Sequence, residues 1–314
     1  MLIHFWGVRG SIPTPVTAEQ IQTKILSVVE RITSKDLESA DSKMKFIASL
    51  PEWIYGTVGG NSPCVEVVTK TGEHIILDGG SGLRVLAKNS VKPRDNHYYM
   101  LFSHFHWDHI QGIPFFDPAF NPNCVFDIYS NFPDMEEYLR SQSSTPYFPE
   151  NAGWDKLAAK FNFHLLEEGK GVEIGGVKIN THKMKHPGDS YSISIEEDGK
   201  KFIYATDIEL KNSDFDTSLK SNEFFRNADV MVLDSQYTAD DAIRKENWGH
   251  SSFCFSIDFA DVWKAKSVYL FHHEPTYDDK KLYDIFDLAK WYINYKNNCN
   301  IDLHIAIEGQ EIKL

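Results

Sequence analysis

Basic residues are scarce. The 314-residue chain carries 32 Lys and Arg against 45 Asp and Glu, a formal charge of −13. Binding along a nucleic-acid backbone depends on neutralising many phosphates with cationic side chains. The acidic balance therefore speaks against an extended nucleic-acid interface. It leaves room for a small anionic substrate, because a bound metal ion can dominate the local field. Cysteine is scarce as well: Cys64, Cys124, Cys254 and Cys299 are widely scattered, with no Cys-x-x-Cys pair. This argues against a closed structural zinc site and for a reduced, cytoplasmic setting, with Cys64 and Cys254 filling core space. No apolar run reaches membrane-spanning length, and no basic segment followed by an apolar one opens the chain. Neither a membrane span nor a signal peptide is expected. Short-period repeats and low-complexity tracts are also missing.

Histidine, by contrast, is concentrated. The run Ser103-His104-Phe105-His106-Trp107-Asp108-His109 holds four candidate metal ligands within six residues. Residues 98–102 before it read as a buried strand, so the run lies where a strand ends and the chain turns. Alternate side chains of an extended segment point the same way, so His104 and His106 can share one target. Asp108 and His109 follow in the turn and can face a second. One ion cannot comfortably take all four from so short a run; two ions can. Mixed imidazole and carboxylate donors suit catalytic Zn, Mn or Fe. The plain alternative, polar residues on a surface loop, fits poorly with three His and an Asp in this order.

The remaining chain is 42% hydrophobic and 13% aromatic, enough for a substantial core. Residues 2–8 read as a strand, with His4 on its surface. From Thr17 to Ile32, the residues Ile21, Ile25, Val28, Val29 and Ile32 follow helical spacing. A less regular helix follows within residues 36–50. Residues 14–58 thus read as a helical insertion, either a packed decoration or a lid or homodimer contact. Its end at the Gly59-Gly60-Asn61 loop favours a place near the site, where Asn61 touches substrate or only forms the turn. Further strands are expected over residues 64–69, 73–77, 124–129, 161–166, 177–181, 190–196, 201–205, 228–234, 267–271 and 301–307. Helices are expected over residues 81–87, 134–142, 154–161, 251–260 with Ser251 as cap, and 282–293. Strand-rich halves with sparse helices point to an α+β fold, an αββα sandwich of two packed sheets with helices outside. Its site would run along one edge, built from strand-end loops of both halves, which makes residues 1–314 one domain.

Several residues at strand ends carry two readings each. Asp78, before Gly79-Gly80, is a turn residue or accepts a proton from a ligand imidazole and fixes its tautomer. His186 precedes Pro187-Gly188, a turn able to present its ring rigidly, and is preferred as a ligand to His182 on the preceding strand. Asp207 can bridge two cations with its two oxygens or cap a helix over residues 208–210.

The His104–His109 run resembles the signature of the metallo-β-lactamase-fold hydrolases. Gly7-Val8-Arg9-Gly10-Ser11-Ile12-Pro13, Gly59-Gly60-Asn61, Leu77-Asp78-Gly79-Gly80-Ser81-Gly82, His186-Pro187-Gly188, Thr206-Asp207, Trp248-Gly249-His250-Ser251-Ser252 and Phe271-His272-His273-Glu274-Pro275 fall in that family's order. They resemble the branch with ribonuclease Z and the metal-dependent cyclic phosphodiesterases, over nearly the whole chain except residues 14–58.

The resemblance implies a first metal on His104, His106 and His186. It implies a second on Asp108, His109 and His272, with Asp207 bridging. His272 is preferred to His273 because the family's Leu-x-His strand end places its ligand there. His250 is similar to that branch's non-ligand His, which stabilises or protonates the leaving group. Asp234 stands where an acidic residue orients that His, as Asp rather than Glu. Asp108 can also orient or deprotonate the nucleophile. The implied protein is a hydrolase with two divalent ions, Zn first and Mn or Fe next. Its expected substrate is a small or cyclic nucleotide phosphodiester. One alternative is a ribonuclease Z-like RNA endonuclease, which the acidic charge and the lack of a basic, Gly-rich arm oppose. The other is a non-hydrolytic, metal-bearing (diiron) sensor or binding protein. β-Lactamase activity fits less well than either hydrolase reading.

Overall fold

The computed structural model describes residues 1–296 and 298–314. The first sheet uses β1 (Leu2–Gly7), β2 (Cys64–Val68), β3 (His74–Leu77), β4 (His97–Leu101), β5 (Val125–Ser130) and β6 (Lys160–Leu165). The second uses β7 (Val172–Ile174), β8 (Val177–Met184), β9 (Ser190–Glu197), β10 (Lys200–Ala205), β11 (Val230–Asp234), β12 (Ser267–Phe271) and β13 (Asp302–Ile305). A short β14 (Glu311–Lys313) returns to the first sheet and pairs antiparallel with β1. The orders are β14-β1-β2-β3-β4-β5-β6 and β13-β12-β11-β10-β9-β8-β7. Strands β3 to β6 run parallel, as do β10 to β13. Their carboxyl ends deliver the loops that carry the candidate ligands, the usual place for a site on parallel sheets.

Helices α1 (Ala18–Val29), α2 (Ala40–Ser49) and α3 (Glu52–Tyr55) form the insertion. Helices α4 (Gly82–Asn89), α5 (Trp107–Ile110) and α6 (Met135–Gln142) belong to the first half. Helices α7 (Ala239–Arg244), α8 (Phe253–Val262) and α9 (Asp279–Tyr295) belong to the second. Apolar side chains divide by layer. Phe5, Val65, Leu77, Phe202, Tyr204, Val232 and Phe271 pack between the sheets. Leu83, Leu86, Met135 and Leu139 close the outer face of the first sheet against Tyr98, Met100 and Phe126. Ile257, Ala260, Trp263, Ile285 and Ala289 close the second against Ile203, Met231 and Leu233. This alternation along each strand, one side to the partner sheet and one to helices, makes the αββα sandwich. Among the described residues, no helix is long and apolar enough to cross a membrane.

Some local expectations need correction. Residues 154–161 do not form a helix. Only Trp154–Lys156 make a 3-10 turn, and Phe161 joins β6, where it stacks on Phe126 at 5.1 Å. Helix α8 is capped by Ser252, whose side chain accepts from Phe255 N, while the Ser251 hydroxyl donates to Ile208 O. Residues 208–210 are not helical, so Asp207 caps nothing. The closing strand is not the last element, because β14 follows β13.

The insertion also departs from the packed-decoration reading. The Thr17–Gln20 capping box starts α1 where the spacing predicts, but its apolar stripe is not covered. Ile25 is 58% and Val29 61% exposed, and only Ser27 of α1 is buried. The segment is tied on by polar contacts instead. Lys24 Nζ donates to Asp279 at 2.5 Å and to Gly56 O at 2.6 Å. Buried Arg9 donates to Gly59 O and Tyr277 O on the same side.

Candidate metal centre

The site begins with Asp78, just past β3, in a left-handed conformation (φ 59°). Its buried carboxylate accepts hydrogen bonds from Ser103 N and Oγ, both at 2.8 Å, and from Tyr204 Oη at 2.9 Å. It also pairs with His109 Nδ1 at 2.8 Å. These bonds hold the turn after β4 and leave His109 Nε2 facing inward. The chain then runs extended through His104 to His106 before one turn of helix, α5, carries Asp108 and His109.

The second sheet supplies the rest from three strand ends. His186 follows β8, and its Nδ1 donates to Gly249 O at 2.8 Å, which turns Nε2 toward His106 Nδ1, 3.0 Å away. Asp207 follows β10 with φ 54°, and His272 follows β12 with φ 62°. His272 Nδ1 donates to Gln236 Oε1 at 3.0 Å and is thereby oriented.

Two groups of donor atoms result, each with all atoms within 4.8 Å of one another. One is His104, His106, His186 and Asp207; the other is Asp108, His109, Asp207 and His272. Asp207 belongs to both and splits its oxygens. Oδ1 lies 3.7 Å from His104 Nε2 and 3.7 Å from His186 Nε2. Oδ2 lies 3.1 Å from His109 Nε2 and 3.2 Å from His272 Nε2. Asp108 Oδ2 lies 3.2 Å from both His109 and His272 and accepts from Ser11 N at 2.8 Å. The donor set fits divalent ions. His104 Nε2 and His109 Nε2 are buried without a hydrogen-bond partner, a costly state for polar atoms that a cation would relieve.

Beside these groups stands His250. Its Nδ1 bonds Asp234 Oδ2 at 2.7 Å, and its ring stacks on His272 at 4.9 Å. Asp234, His250 and His272 also form a trio of close donor atoms. Within it, Asp234 is occupied as the partner of His250 and accepts from Ser251 N at 3.1 Å. Asp thus reaches His250 at an ordinary charge-assisted distance.

The electrostatics follow from burial and crowding. Desolvation holds His104 well below the ordinary imidazole pKa, and it lowers His106 and His186 too. These rings are neutral, as ligation requires. Burial opposes charge on Asp108 and Asp207, yet the imidazoles around them hold both well below the usual carboxylate range. Burial also opposes a proton on His109, but Asp207, Asp108 and Asp78 raise its pKa well above normal. For His250, burial is outweighed by Asp234, and the pKa is pushed up to about 8.

Other candidates lie elsewhere. His273 turns away to Ala306 O at 2.9 Å, and desolvation drives its pKa to about 3. His182 pairs with Glu168 at 2.9 Å. His4 stacks on Trp6. Asn61 spends its side chain on Glu308 and Ser81, forming the turn. Gln236 and Tyr204 were not singled out from the sequence, and Ser11 and Gly249 stood only within the quoted motifs, without a role of their own. Of the first two, only Gln236, two residues past a strand ending in Asp, carried any signal.

A cavity of about 500 Å³ opens beside the first group, lined by His104, His106 and Gly188 and by aromatic side chains of residues 105–147. No residue of 17–50 lines it. The expected place of the insertion over the site's entrance is therefore not seen in this cavity, because Lys24 and Asp279 anchor that segment beside α9.

A family model described as a beta-lactamase superfamily domain matches residues 73–273. None of the curated protein sequences compared with the chain matches it. Among solved structures, the metallo-beta-lactamase fold protein YhfI of Bacillus subtilis has a TM-score of 0.65 at 16% identity, covering 99% of this chain and 98% of that one. A diphosphatase from the PhnP family gives 0.63 at 16% identity, covering 100% and 97%. Human tRNase Z, short form, gives 0.62 at 13% identity, covering 100% and 99%. At these identities the likeness is one of fold.

Proposed function

The chain belongs to the β-lactamase superfamily as a metallo-β-lactamase-fold hydrolase, and from that premise we propose that it is a binuclear phosphodiesterase acting on a small or cyclic nucleotide phosphodiester. One observation carries the proposal: two donor groups share Asp207, and a separate His250–Asp234 pair stands at their edge. In this reading His104, His106 and His186 would hold the first ion, Asp108, His109 and His272 would hold the second, and Asp207 would serve both. When bound, the two ions, Zn most readily, supply a nucleophile from water near neutral pH and neutralise charge on a phosphoryl oxygen.

The chain's own residues do the rest. Asp78 and Gln236 fix the tautomers of His109 and His272, so that each presents Nε2. Asp108, held by Ser11 N, is placed to orient the attacking water. His250 keeps its proton through Asp234 and gives it to the leaving oxygen, as a general acid with a pKa near the working pH does. The acidic net charge supports a small substrate over long RNA.

The test is a screen of zinc-, manganese- or iron-reconstituted protein against cyclic nucleotides, nitrophenyl phosphodiesters, precursor tRNA and lactams. Turnover of the first two classes, with two metals per chain, is expected. Turnover of precursor tRNA alone would select the ribonuclease Z reading. Full metal content with no hydrolysis would favour the sensor.

A further inference from the structure

The cavity beside the first donor group is a site of a different kind from the metal centre. His104, His106 and Gly188 form its inner end, where a scissile phosphate would sit under the reading above. Its outer walls are aromatic. Phe105 is fixed by ring contacts to Phe132 at 5.6 Å and Tyr138 at 5.3 Å. Trp107 and Tyr147, 73% and 75% exposed, stand at the cavity with their rings in solvent. Trp107 holds a position between two proposed ligands where ligation asks nothing of it, so its large exposed ring has no role in the fold.

Charge narrows the occupant. Among the described residues no Lys or Arg lines this cavity, and the one carboxylate that does, Asp189, is paired with Lys183 at 2.7 Å. A phosphate chain would find no cation there. A neutral planar ring would find several π-faces. The volume of about 500 Å³ falls in the range of small-ligand sites and is far below what a folded RNA needs.

We propose that this cavity is the nucleobase subsite, with the exposed rings of Trp107 and Tyr147 offering π-faces to the base and Tyr138 closing on its edge, while the phosphate of the substrate meets the metal centre. The assignment rests on the phosphodiesterase reading, and it names the substrate class by its base. Stacking reads a π-face that every base has, and Ser141 and Gln142 in the same lining are placed to meet a base edge.

Equilibrium binding tests it with the zinc-loaded full chain. The probes are adenosine 5′-monophosphate and ribose 5-phosphate, which share the phosphate and sugar and differ in the base. The nucleotide is expected to bind at least tenfold more tightly and to quench tryptophan fluorescence. Tyr147→Ala and Tyr138→Ala, both remote in sequence from the proposed ligands, should each weaken nucleotide binding by about fivefold or more. Ribose 5-phosphate binding should stay unchanged. Trp107→Ala should do the same and abolish the quench, and Trp107→Phe should restore most of the affinity. Equal affinity for the two probes, no binding of either, or variants that weaken both alike would overturn the subsite. Failure of the parent reading looks different: the nucleotide still binds through these rings, but no phosphodiester is turned over.

Discussion

Asp207 serves both donor groups with one side chain, and its two oxygens face different imidazoles. Asp207→Ala should therefore lower metal content by at least one ion per chain, measured by elemental analysis after dialysis against buffer without chelator. Retention of two ions would remove its bridging role. His250 faces the opposite expectation. His250→Ala should keep both metals and lose roughly two to four orders of magnitude in kcat, the usual scale of general acid–base assistance. A nitrophenyl leaving group needs less proton donation, so its hydrolysis should suffer less. The raised pKa of His250 has a sign in stability too. The folded form binds the proton more tightly than the unfolded chain does. Stability from the His250–Asp234 pair is thus complete below about pH 6.5 and is lost as pH rises through about 8. The difference amounts to about 2 kcal/mol at most. Urea unfolding of metal-free protein at pH 6 and pH 9 should show it, and His250→Asn should flatten it. The proposed ligands of the 104–109 run stood out in the sequence because few orders of His and Asp would suit two cations. Gln236 and Tyr204 did not, since each acts only through a partner distant in sequence.

Strand ends make this centre, and their backbones are unusual. Asp78, Asp207 and His272 all take left-handed φ values of 54° to 62°. Asp, Asn and His tolerate this region better than most residues, at a cost of about 1 kcal/mol or more each. Gly249 shows how tightly the second half is built. Its φ is +91°, and a Cβ there would lie 2.3 Å from His186 Nδ1. Gly249→Ala should displace His186, weaken zinc retention at the first group at least tenfold, and lower the unfolding temperature. A variant with normal zinc affinity would show that His186 needs no such support. The insertion predicts the reverse, insensitivity. Ile25 and Val29 are mostly exposed, so Ile25→Lys and Val29→Lys should each change unfolding free energy by no more than about 0.5 kcal/mol. A loss above about 2 kcal/mol in urea titrations would mean that the stripe is covered in solution. The periodicity of α1 was legible, but the burial it implied was not. Helical spacing states only that one face is apolar, and here Lys24 and Asp279 dock the segment without using that face. Residues 154–161 misled in another way. The strand expected from Phe161 is there, beginning at Lys160 and pairing parallel to β5, and it takes the end of the span that was also read as a helix.

Across the molecule, the candidate centre draws donors from both sheets, which also meet through apolar packing and through polar contacts such as Tyr204 with Asp78 and the Met1 amino group with Glu197. His104, His106, Asp108 and His109 hang from the first, and His186, Asp207 and His272 from the second. Metal binding should then stabilise the whole sandwich. Calorimetry with a chelator is expected to lower the unfolding temperature, and zinc at 100 times its dissociation constant should return about 2.7 kcal/mol per site. No change on chelation would mean that the ions do not tie the halves. The amino-acid order alone settled the layer pattern, the candidate donor types in the 104–109 run and the strand ends that carry Asp78, Asp207 and Asp234. Alternation of apolar residues and the donor chemistry of His and Asp are local properties. Folding had to settle how the ligands divide. His272 and His273 are neighbours of one type, but a strand end sends one to Asp207 and the other to Ala306 O. The place of Asp207 in both donor groups, the His250–Asp234 contact and the aromatic cavity beside His106 likewise arise from groups far apart in the chain. Their distances exist only once the two sheets have packed.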